Sequence, residues 1–502
     1  MSINKGIRSI IGVRAQMTQP CKTPFLISLL FIPLFLAACS TNPATGEQQF
    51  TALMPAGQEA AIGAQEHAKI EQTFGKFIDG PLHTYVNTIG QKVAQNTERP
   101  DVQYRFYVID SPMVNAFALP GGYIYVTRGL MALANNEAEL AAVIGHEIAH
   151  VTARHSAERM SQGFLTQLGA VVLSAATDSA GIARAANLGS NLYLKSYSRD
   201  QEHQADELGV RYLHRAGYDG FAMASFLNSM GMHTNLEAKI AGRNAPQANW
   251  FSTHPDTGNR VAEASAAATT YGANAQKLKR NEYFNALNGM VYGDSASQGF
   301  MKGQTFWHPD MGFTFTFPSG FQVNNQPTQI IGLHKGSGAV ILFDAAGDKS
   351  NPDPLTFLSR IWMKGENIRN LESVTVNGMR AATGSFPGTV NGKSVTVQLM
   401  AIEWKPGQFF RFQIAVPNNL DSASLDALKK TTYSLRRMTA SEKQSVKPMR
   451  LQIITARSGD TVASLAARMP FESYRQERFR VLNGLSPNQG VAVGQKYKTI
   501  VQ

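Results

Sequence analysis

The sequence predicts a multidomain protein: a mainly α-helical domain with a few strands, then an antiparallel α+β domain, then a small C-terminal module. The chain has 502 residues, more than one hydrophobic core usually serves, so two to four domains are expected. Hydrophobic residues make up 43% of the chain and charged residues 17%, a globular balance that excludes wholesale disorder. Near residue 300 the hydrophobic pattern changes from the spacing of helices to the alternation of strands.

The N-terminus has the layout of a bacterial secretory signal over residues 1–38. Four basic residues and no acid precede "TPFLISLLFIPLFLAAC", a short apolar run that ends in small residues. The Leu-Ala-Ala-Cys sequence ending at Cys39 resembles a lipobox, which implies that Cys39 is lipidated and begins the mature chain. The alternative is an ordinary signal peptide cut near Ala38. Met17 is a second possible start, because a complete signal follows it.

Export has consequences for charge and location. Removal of the signal takes away four positive charges and lowers the formal net charge from +11 to +7. That charge is mild and no cluster of Lys and Arg accompanies it, so no nucleic-acid partner is expected. A lipid on Cys39 would hold the protein on a membrane without spanning it. Ser40 resembles the sorting pattern for the outer membrane, so we expect a periplasmic protein at its inner leaflet, with residues 39–54 as a polar tether.

Helical spacing interrupted by short strands predicts one domain over residues 55–275 and a connector over 276–300. The segment "NAFALPGGYIYVTRGLM" predicts a hairpin, because a Pro-Gly-Gly turn precedes alternating residues. Helices are expected from Asn136 to about Ser161, and over 198–217.

Residues 301–440 predict the antiparallel α+β domain. "AVILFDA", "SVTVQLMAIEW" and "QFFRFQIAV" have the pattern of strands separated by turns, and helical patterns lie over 354–364 and 421–434. This region weakly resembles PsbP/Mog1-like sandwiches, and its role is open between substrate recruitment and a spacer. The composition of residues 441–449 predicts a linker.

The stretch "AAVIGHEIAHVTARH", residues 141–155, suggests a metal site. On a helix His146 and His150 differ by roughly 40° in azimuth and face the same way, so both imidazoles can bind one zinc ion. Glu147 is placed to take a proton from water that the metal activates. The alternative for this motif alone is a polar stripe on a helix. His155 lies about 140° further round the same helix and is predicted not to be a ligand.

A catalytic zinc needs a third protein ligand and an open position. "SYSRDQEHQADELG" places Glu202 and Asp206 four residues apart, on one face of a second helix. Glu202 is the candidate ligand, and Asp206 is a candidate to orient a ligand histidine from behind. The alternative for this pair alone is a solvated helix face.

Four segments, in the same order, resemble the zinc metallopeptidases related to HtpX and BepA, the gluzincins. They are "NAFALPGGYIYVTRGL", "NEAELAAVIGHEIAHVTARH", "SYSRDQEHQADELG" and "STHPDTGNR". The resemblance covers about residues 50–270 and implies a zincin-like α+β fold with one Zn²⁺ per chain. It implies that His146, His150 and Glu202 bind the zinc and that Glu147 is the general base.

The same resemblance implies further site residues. Gly122, Tyr123, Ile124 and Tyr125 would pair with the substrate backbone as an edge strand. His254 and Arg260 are candidate catalytic residues, since either could stabilise the oxyanion. Alternatively His254 occupies the fourth zinc position and holds the enzyme latent, as in BepA-like members.

The C-terminal residues 450–502 carry a second resemblance. "ARSGDTVASLAARM" and "GQKYKTI" are similar to parts of a LysM module, which implies a βααβ fold and peptidoglycan as a partner. The alternative is a βααβ packing module with no ligand.

Together the resemblances imply a zinc-dependent metalloendopeptidase of the cell envelope that acts on unfolded or misassembled envelope proteins. The alternative is a largely latent peptidase-fold protein that binds or chaperones at the outer membrane and cell wall. A third hypothesis, peptidoglycan hydrolysis, rests only on the LysM-like segment. β-Rich sequence follows where BepA-like chains carry tetratricopeptide repeats, so the partners of BepA are not carried over.

Overall fold

The computed structural model describes residues 39–52, 54–162, 196–241, 250–255, 258–271, 278–390 and 392–502. The signal peptide predicted over residues 1–38 lies outside this part of the chain. Among the helices of the described ranges, none is long and apolar enough to cross a membrane.

The first described residues form a hairpin, which we call the N-terminal hairpin (residues 39–50). Its strands β1 (Cys39–Thr41) and β2 (Gln48–Phe50) pair antiparallel. Asn42, next to β1, is only 3% exposed and donates from Nδ2 to Oε1 of Gln204 at 3.0 Å. The segment predicted as a polar tether is therefore folded against the helical domain over much of its length.

The helical domain is built around α4, which is buried at every position. Asn136 caps it by accepting from the backbone N–H of Glu139, and two glutamates in its first turn favour the helix N-terminus. Such an apolar helix needs neighbours on all sides. The helices are α1 (Glu59–Phe74), α2 (Pro81–Ala94), α3 (Arg128–Leu133), α4 (Glu137–Thr152), α5 (described over 155–162), α6 (Arg199–Arg215), α7 (Ala222–Ala241), α8 (Trp250–Thr253), α9 (Arg260–Thr270) and α10 (Arg280–Leu287).

A four-stranded sheet packs beside these helices. Its strands are β3 (Phe77–Ile78), β4 (Arg105–Ile109), β5 (Ala116–Leu119) and β6 (Tyr123–Thr127), in the order β3-β4-β6-β5. The predicted hairpin is present as β5 and β6, and its turn uses positive φ values of 75° and 92° at Gly121 and Gly122. However, β6 also pairs in parallel with β4. The prediction that this strand is an edge for substrate is wrong, because both of its sides are already hydrogen-bonded.

The next region is the predicted antiparallel α+β domain, with two sheets ordered β10-β11-β12-β16-β15-β14-β13 and β17-β9-β8-β7. Aromatic side chains fill the space between them; the rings of Phe313 and Phe410, for example, lie 4.5 Å apart. The strands are β7 (Phe300–Lys302), β8 (Thr305–His308), β9 (Phe313–Thr316), β10 (Phe321–Asn325), β11 (Gln329–His334), β12 (Val340–Gly347), β13 (Arg369–Val376), β14 (Met379–Val390), β15 (Lys393–Lys405), β16 (Gln408–Pro417) and β17 (Arg436–Arg437). The helices are α11 (Pro354–Thr356), continued by a π-turn over Phe357–Trp362, α12 (Ser422–Tyr433) and α13 (Ala440–Ser445). Helix α13 overlaps the segment predicted as a linker.

The C-terminal module has the order β18 (Arg450–Thr455), α14 (Val462–Ala466), α15 (Arg475–Leu482) and β19 (Lys496–Val501). Its two strands pair antiparallel, giving a βααβ unit. The module shares one hydrophobic core with the helical domain, and α10, in the predicted connector, belongs to that core. The module is thus docked on the helical domain.

Candidate metal centre

Helices α4 and α6 bring together donor atoms that are far apart in sequence. One ligand atom from each of four residues lies within 4.8 Å of all the others, and all four side chains are buried. The four residues are His146, His150, Glu202 and His254. The two helices approach closely because Gly145 and Gly209 face each other, so that a Cβ on Gly145 would meet the Gly209 carbonyl oxygen at 3.3 Å.

The spacing of these donors suits a zinc ion. The Nε2 atoms of His146 and His150 are 3.0 Å apart, and the two carboxylate oxygens of Glu202 each lie 3.5 Å from one of them. Ligands of a tetrahedral zinc, each about 2.1 Å from the ion, are about 3.4 Å from one another. Two imidazoles and one carboxylate are also a donor set that zinc prefers, so the residues present fit the metal.

His254 fills the remaining side of the cluster. Its Nδ1 lies 3.2 Å from His146 Nε2 and 2.9 Å from Glu202 Oε1. Its Nε2 points the other way, 3.4 Å from Glu147 Oε1. The backbone N–H of His254 donates to the Trp250 carbonyl at 2.8 Å, so the short helix α8 fixes where the imidazole enters. The site is therefore closed by a fourth donor from the chain itself.

Asp206 and Arg260 support the ligands from behind. Asp206 Oδ1 lies 2.9 Å from His146 Nδ1, which leaves Nε2 as the atom that faces the cluster. Arg260 donates to both oxygens of Asp206, at 2.6 and 2.8 Å, and its Nη1 lies 2.9 Å from Glu202 Oε2. The guanidinium therefore contacts two carboxylates of the site.

Two residues that sequence reasoning did not place in the site contact His150. Tyr197 stacks on its ring at 3.7 Å between centroids, and Nδ1 of His155 lies 2.8 Å from Nδ1 of His150. The prediction assumed one helix through residue 155, but α4 ends at Thr152 and Arg154 takes a left-handed conformation with φ of 58°. This turn brings His155 back beside His150, although His155 is not one of the four clustered donors.

The electrostatics of the cluster are dominated by burial. Burial lowers the pKa of His150 well below its usual value and that of His254 to about 3, so both imidazoles are neutral and able to ligate a metal. Burial raises the pKa of Glu147 and of Glu202 to about 7. Burial also opposes ionisation of Asp206, but the Arg260 ion pair outweighs it and holds the pKa of Asp206 below its usual value.

Glu147 lies next to the cluster. Its Oε1 accepts a long hydrogen bond from the Trp250 indole at 3.4 Å, and its Oε2 has no hydrogen-bond partner within the part of the chain that the structure describes. A buried carboxylate oxygen without a partner is costly, which is a feature of functional sites. The predicted substrate-strand residues lie outside the donor cluster: Gly122 is in the turn before β6, and Tyr123, Ile124 and Tyr125 are on β6.

Comparison with known proteins identifies the class of this domain. Residues 82–268 match the family model Peptidase family M48. A beta-barrel assembly-enhancing protease of Yersinia pestis is 30% identical over 216 residues, which is 41% of this chain and 43% of that protein. The protein of the same name from Escherichia coli (strain K12) is 28% identical over 241 residues, 46% and 48% of the two chains. The mitochondrial metalloendopeptidase OMA1 of Schizosaccharomyces pombe is 31% identical over 183 residues, 36% and 51% of the two chains.

The chain thus spans about half the length of the curated relatives it matches. Among solved structures, a cyanobacterial PsbP from Synechocystis sp. PCC 6803 covers 28% of this chain and 98% of its own at 10% identity, with a TM-score of 0.22. A TM-score that low assigns no fold. The family match and the buried donor cluster agree on the region that contains the site. Within a multidomain architecture, residues 82–268 therefore form a peptidase domain of the M48 type.

Proposed function

We propose that this protein is a zinc-dependent metalloendopeptidase of the bacterial cell envelope. The observation that carries the proposal is the convergence of His146 Nε2, His150 Nε2 and the Glu202 carboxylate at 3.0–3.5 Å, with Glu147 beside them. This donor set lies in the region that matches a peptidase family. We further propose one zinc ion per chain, held by these three residues. The relatives named beta-barrel assembly-enhancing protease support an envelope setting, with misfolded or stalled envelope proteins as substrates.

A zinc ion bound there would supply Lewis-acid polarisation of a peptide carbonyl and acidify water for attack. Glu147 then serves as the general base: its Oε2, which has no hydrogen-bond partner among the described residues, takes the proton of the attacking water and delivers it to the leaving amine nitrogen. A pKa near 7 suits this exchange, because the carboxyl group can both accept and return a proton at neutral pH.

His254 is the proposed latch. With Nδ1 among the ligand atoms it occupies the position that an attacking water and a substrate carbonyl need. The cluster is closed to solvent, since His146, Glu147, Glu202 and His254 are each 0% exposed. Cleavage therefore requires movement of the segment 250–255, and we propose that the described conformation is the latent one.

Arg260 is proposed as a positioning residue for Asp206 and Glu202. This role takes the place of the oxyanion stabilisation that was expected of Arg260 from the sequence. Its Nε and Nη2 are engaged by Asp206 and its Nη1 is beside Glu202, so the guanidinium faces the ligands from behind.

The strand proposed to pair with the substrate backbone is β5. It lies at the end of the described sheet and has β6 as its one neighbour there. Val114, just before β5, accepts from Trp250 N at 2.9 Å, which keeps this edge close to the latch segment.

The remaining envelope features are also proposals. Residues 1–38 direct export, Cys39 carries the lipid, and the protein is held at the inner leaflet of the outer membrane, facing the periplasm. The βααβ module binds peptidoglycan in the same proposal, which its LysM-like segments support. Because the module is docked on the peptidase domain, glycan binding would hold the peptidase close to the cell wall.

The test compares the wild-type chain with Glu147→Gln. We expect about one zinc per chain in both, measured by metal analysis, and cleavage of unfolded casein by the wild type that falls about 10²–10⁴-fold in the variant. A variant that cleaves as fast as the wild type would contradict the proposed base. Absence of zinc from both would overturn the metallopeptidase proposal.

The second candidate function is a largely latent binding or chaperone-like protein built on a peptidase fold. Complete burial of the donor cluster is the observation that favours it. A deletion strain distinguishes the two, because Glu147→Gln restores envelope integrity fully if binding suffices and fails to do so if cleavage is required.

A further inference from the structure

A chain of hydrogen bonds leads from the candidate ligand His150 to the N-terminal hairpin. Nδ1 of His150 lies 2.8 Å from Nδ1 of His155, and Nε2 of His155 lies 2.8 Å from Oε1 of Gln204. The same Oε1 accepts from Nδ2 of Asn42 at 3.0 Å, and Gln204 Nε2 donates to Oε2 of Glu47 at 3.0 Å. Five side chains therefore connect the metal cluster to the N-terminal hairpin, the first part of the chain that the structure describes.

Only one arrangement of protons satisfies this chain when a metal occupies Nε2 of His150. The proton of His150 is then on Nδ1 and is donated to Nδ1 of His155. The proton of His155 is consequently on Nε2 and is donated to the amide oxygen of Gln204. Gln204 must keep its oxygen toward His155 for this to hold, and the donor Asn42 and the acceptor Glu47 together fix that orientation.

A second set of contacts joins the hairpin to the turn that precedes His155. Arg154 immediately precedes His155 and has the left-handed φ of 58°, which is unfavourable for a residue other than glycine. Its guanidinium donates to Glu59 Oε1 at 2.6 Å, to Ser40 Oγ at 3.0 Å and to the Met54 carbonyl at 2.7 Å. The turn that places His155 against His150 is thus held in part by Ser40 of the hairpin.

We propose that His155 and Gln204 are positioning residues for the metal ligand His150, and that three residues of the N-terminal hairpin, Ser40, Asn42 and Glu47, are a structural part of the metal site. The inference rests on the proposed zinc site and goes beyond it, because it assigns a role to the residues that follow directly after Cys39. It makes the segment next to the predicted lipid a determinant of metal affinity. Residues that orient ligands in this way commonly change metal affinity 10–100-fold when removed.

The experiment measures zinc affinity by chelator competition and the visible absorption of the cobalt-substituted protein, using the full chain. Gln204→Ala removes the acceptor of His155 and both bonds to the hairpin. We expect about tenfold weaker zinc binding, the lower end of the range for such residues, and a shifted cobalt spectrum. The double exchange Glu47→Gln with Gln204→Glu restores the pattern, since the new carboxylate at position 204 accepts from His155 and Asn42 and the new amide at position 47 donates to it. The double variant should therefore have the zinc affinity and the cobalt spectrum of the wild type.

Gln48→Ala is the matched control. It removes a hydrogen bond within the hairpin, from Gln48 Nε2 to Thr41 Oγ1 at 3.0 Å, without touching Gln204. It should leave zinc affinity and the cobalt spectrum unchanged. Wild-type affinity and spectrum in Gln204→Ala would overturn the inference while leaving the proposed function standing. A wild-type chain that binds no zinc would instead overturn the proposed function itself.

Discussion

Nδ1 of His254 lies 2.9 Å from Oε1 of Glu202, inside the group of atoms that would surround a metal ion. The histidine directly follows the short helix α8 and the glutamate lies on α6, so the contact joins two separate segments of the chain. A donor from the chain in the fourth position is the arrangement of a structural zinc site, whereas a catalytic site keeps that position open. In the proposed latch, the closed and open forms of the centre therefore differ by the position of one imidazole.

Removal of that imidazole should activate the enzyme. In His254→Ala the fourth position is free for water and substrate, and the three remaining donors still bind zinc. If the latch favours the closed form by about 1.4 kcal/mol, only about a tenth of the molecules are open, and the variant gains about tenfold in casein cleavage. The measurement is the initial cleavage rate at equal zinc content. A rate below that of the wild type would instead make His254 a catalytic residue.

Arg260→Gln tests the support behind the ligands. The substitution breaks the paired hydrogen bonds to Asp206 and leaves two buried carboxylates, Asp206 and Glu202, without their cation. Leaving buried charge unpaired costs about 3–5 kcal/mol, so the melting temperature should fall. Zinc affinity should fall about 10–100-fold because Asp206 no longer holds the ring of His146.

Chelator competition and thermal unfolding of Arg260→Gln, each with and without zinc, separate the two effects. Arg199→Gln, at the N-terminus of the same helix as Asp206, serves as the control because Arg199 is an exposed residue. Zinc binding of wild-type strength in Arg260→Gln would contradict the positioning role.

The sequence predicted local structure well where local signals decide it. Asn136 and Ser198 are N-cap residues at the starts of α4 and α6, and both helices begin next to the positions predicted for them. The four-residue spacing places Glu202 and Asp206 on the face of α6 that meets α4. These are short-range properties of a helix, and periodicity and capping are sufficient to reveal them.

Tertiary contacts decide what the sequence did not reveal. The left-handed turn at Arg154 is held by residues about 100 positions away in sequence. No neighbouring residue therefore indicates that the helix ends there. The parallel pairing of β4 with β6, which makes β6 internal, likewise depends on the path of the chain between them. Both cases are long-range effects that override a local pattern.

Lys498 should be essential for docking of the C-terminal module. It is fully buried, and its ammonium donates to the carbonyls of Ala132, Leu133 and Ala134 at 2.7, 3.1 and 2.7 Å, at the C-terminal end of α3. Lys498→Met keeps the apolar stem and removes the charge. It takes away the donor that three carbonyls share, and we expect a loss of about 1–3 kcal/mol in stability of the docked module.

Limited proteolysis and calorimetry of the full chain measure the Lys498→Met effect. The control is Lys496→Met on the same strand, since the Lys496 side chain is partly exposed and its contact among the described residues is a 3.3 Å hydrogen bond to Asn285 Oδ1. Equal proteolysis of both variants would argue that the module is held by its apolar core alone.

The buried side chain of His308 should make the stability of the α+β domain sensitive to acid. This effect does not depend on the metal. The side chain is 8% exposed, its Nδ1 accepts from the Met311 N–H at 3.3 Å, and burial lowers its pKa to about 4. In the unfolded chain the same imidazole titrates near about 6.5, so between these values the unfolded state binds the extra proton. Stability is therefore complete above about pH 6.5 and is lost as the pH falls toward 4, with about 2 kcal/mol lost by pH 5.

The variant His308→Asn should remove this part of the pH dependence. Asparagine does not titrate, so the unfolding temperature of the α+β domain should fall less between pH 7 and pH 5 in the variant than in the wild type. Calorimetry in the presence of EDTA keeps zinc out of the comparison. Parallel pH profiles of the two proteins would mean that His308 gains its proton as readily in the folded domain as in the unfolded chain.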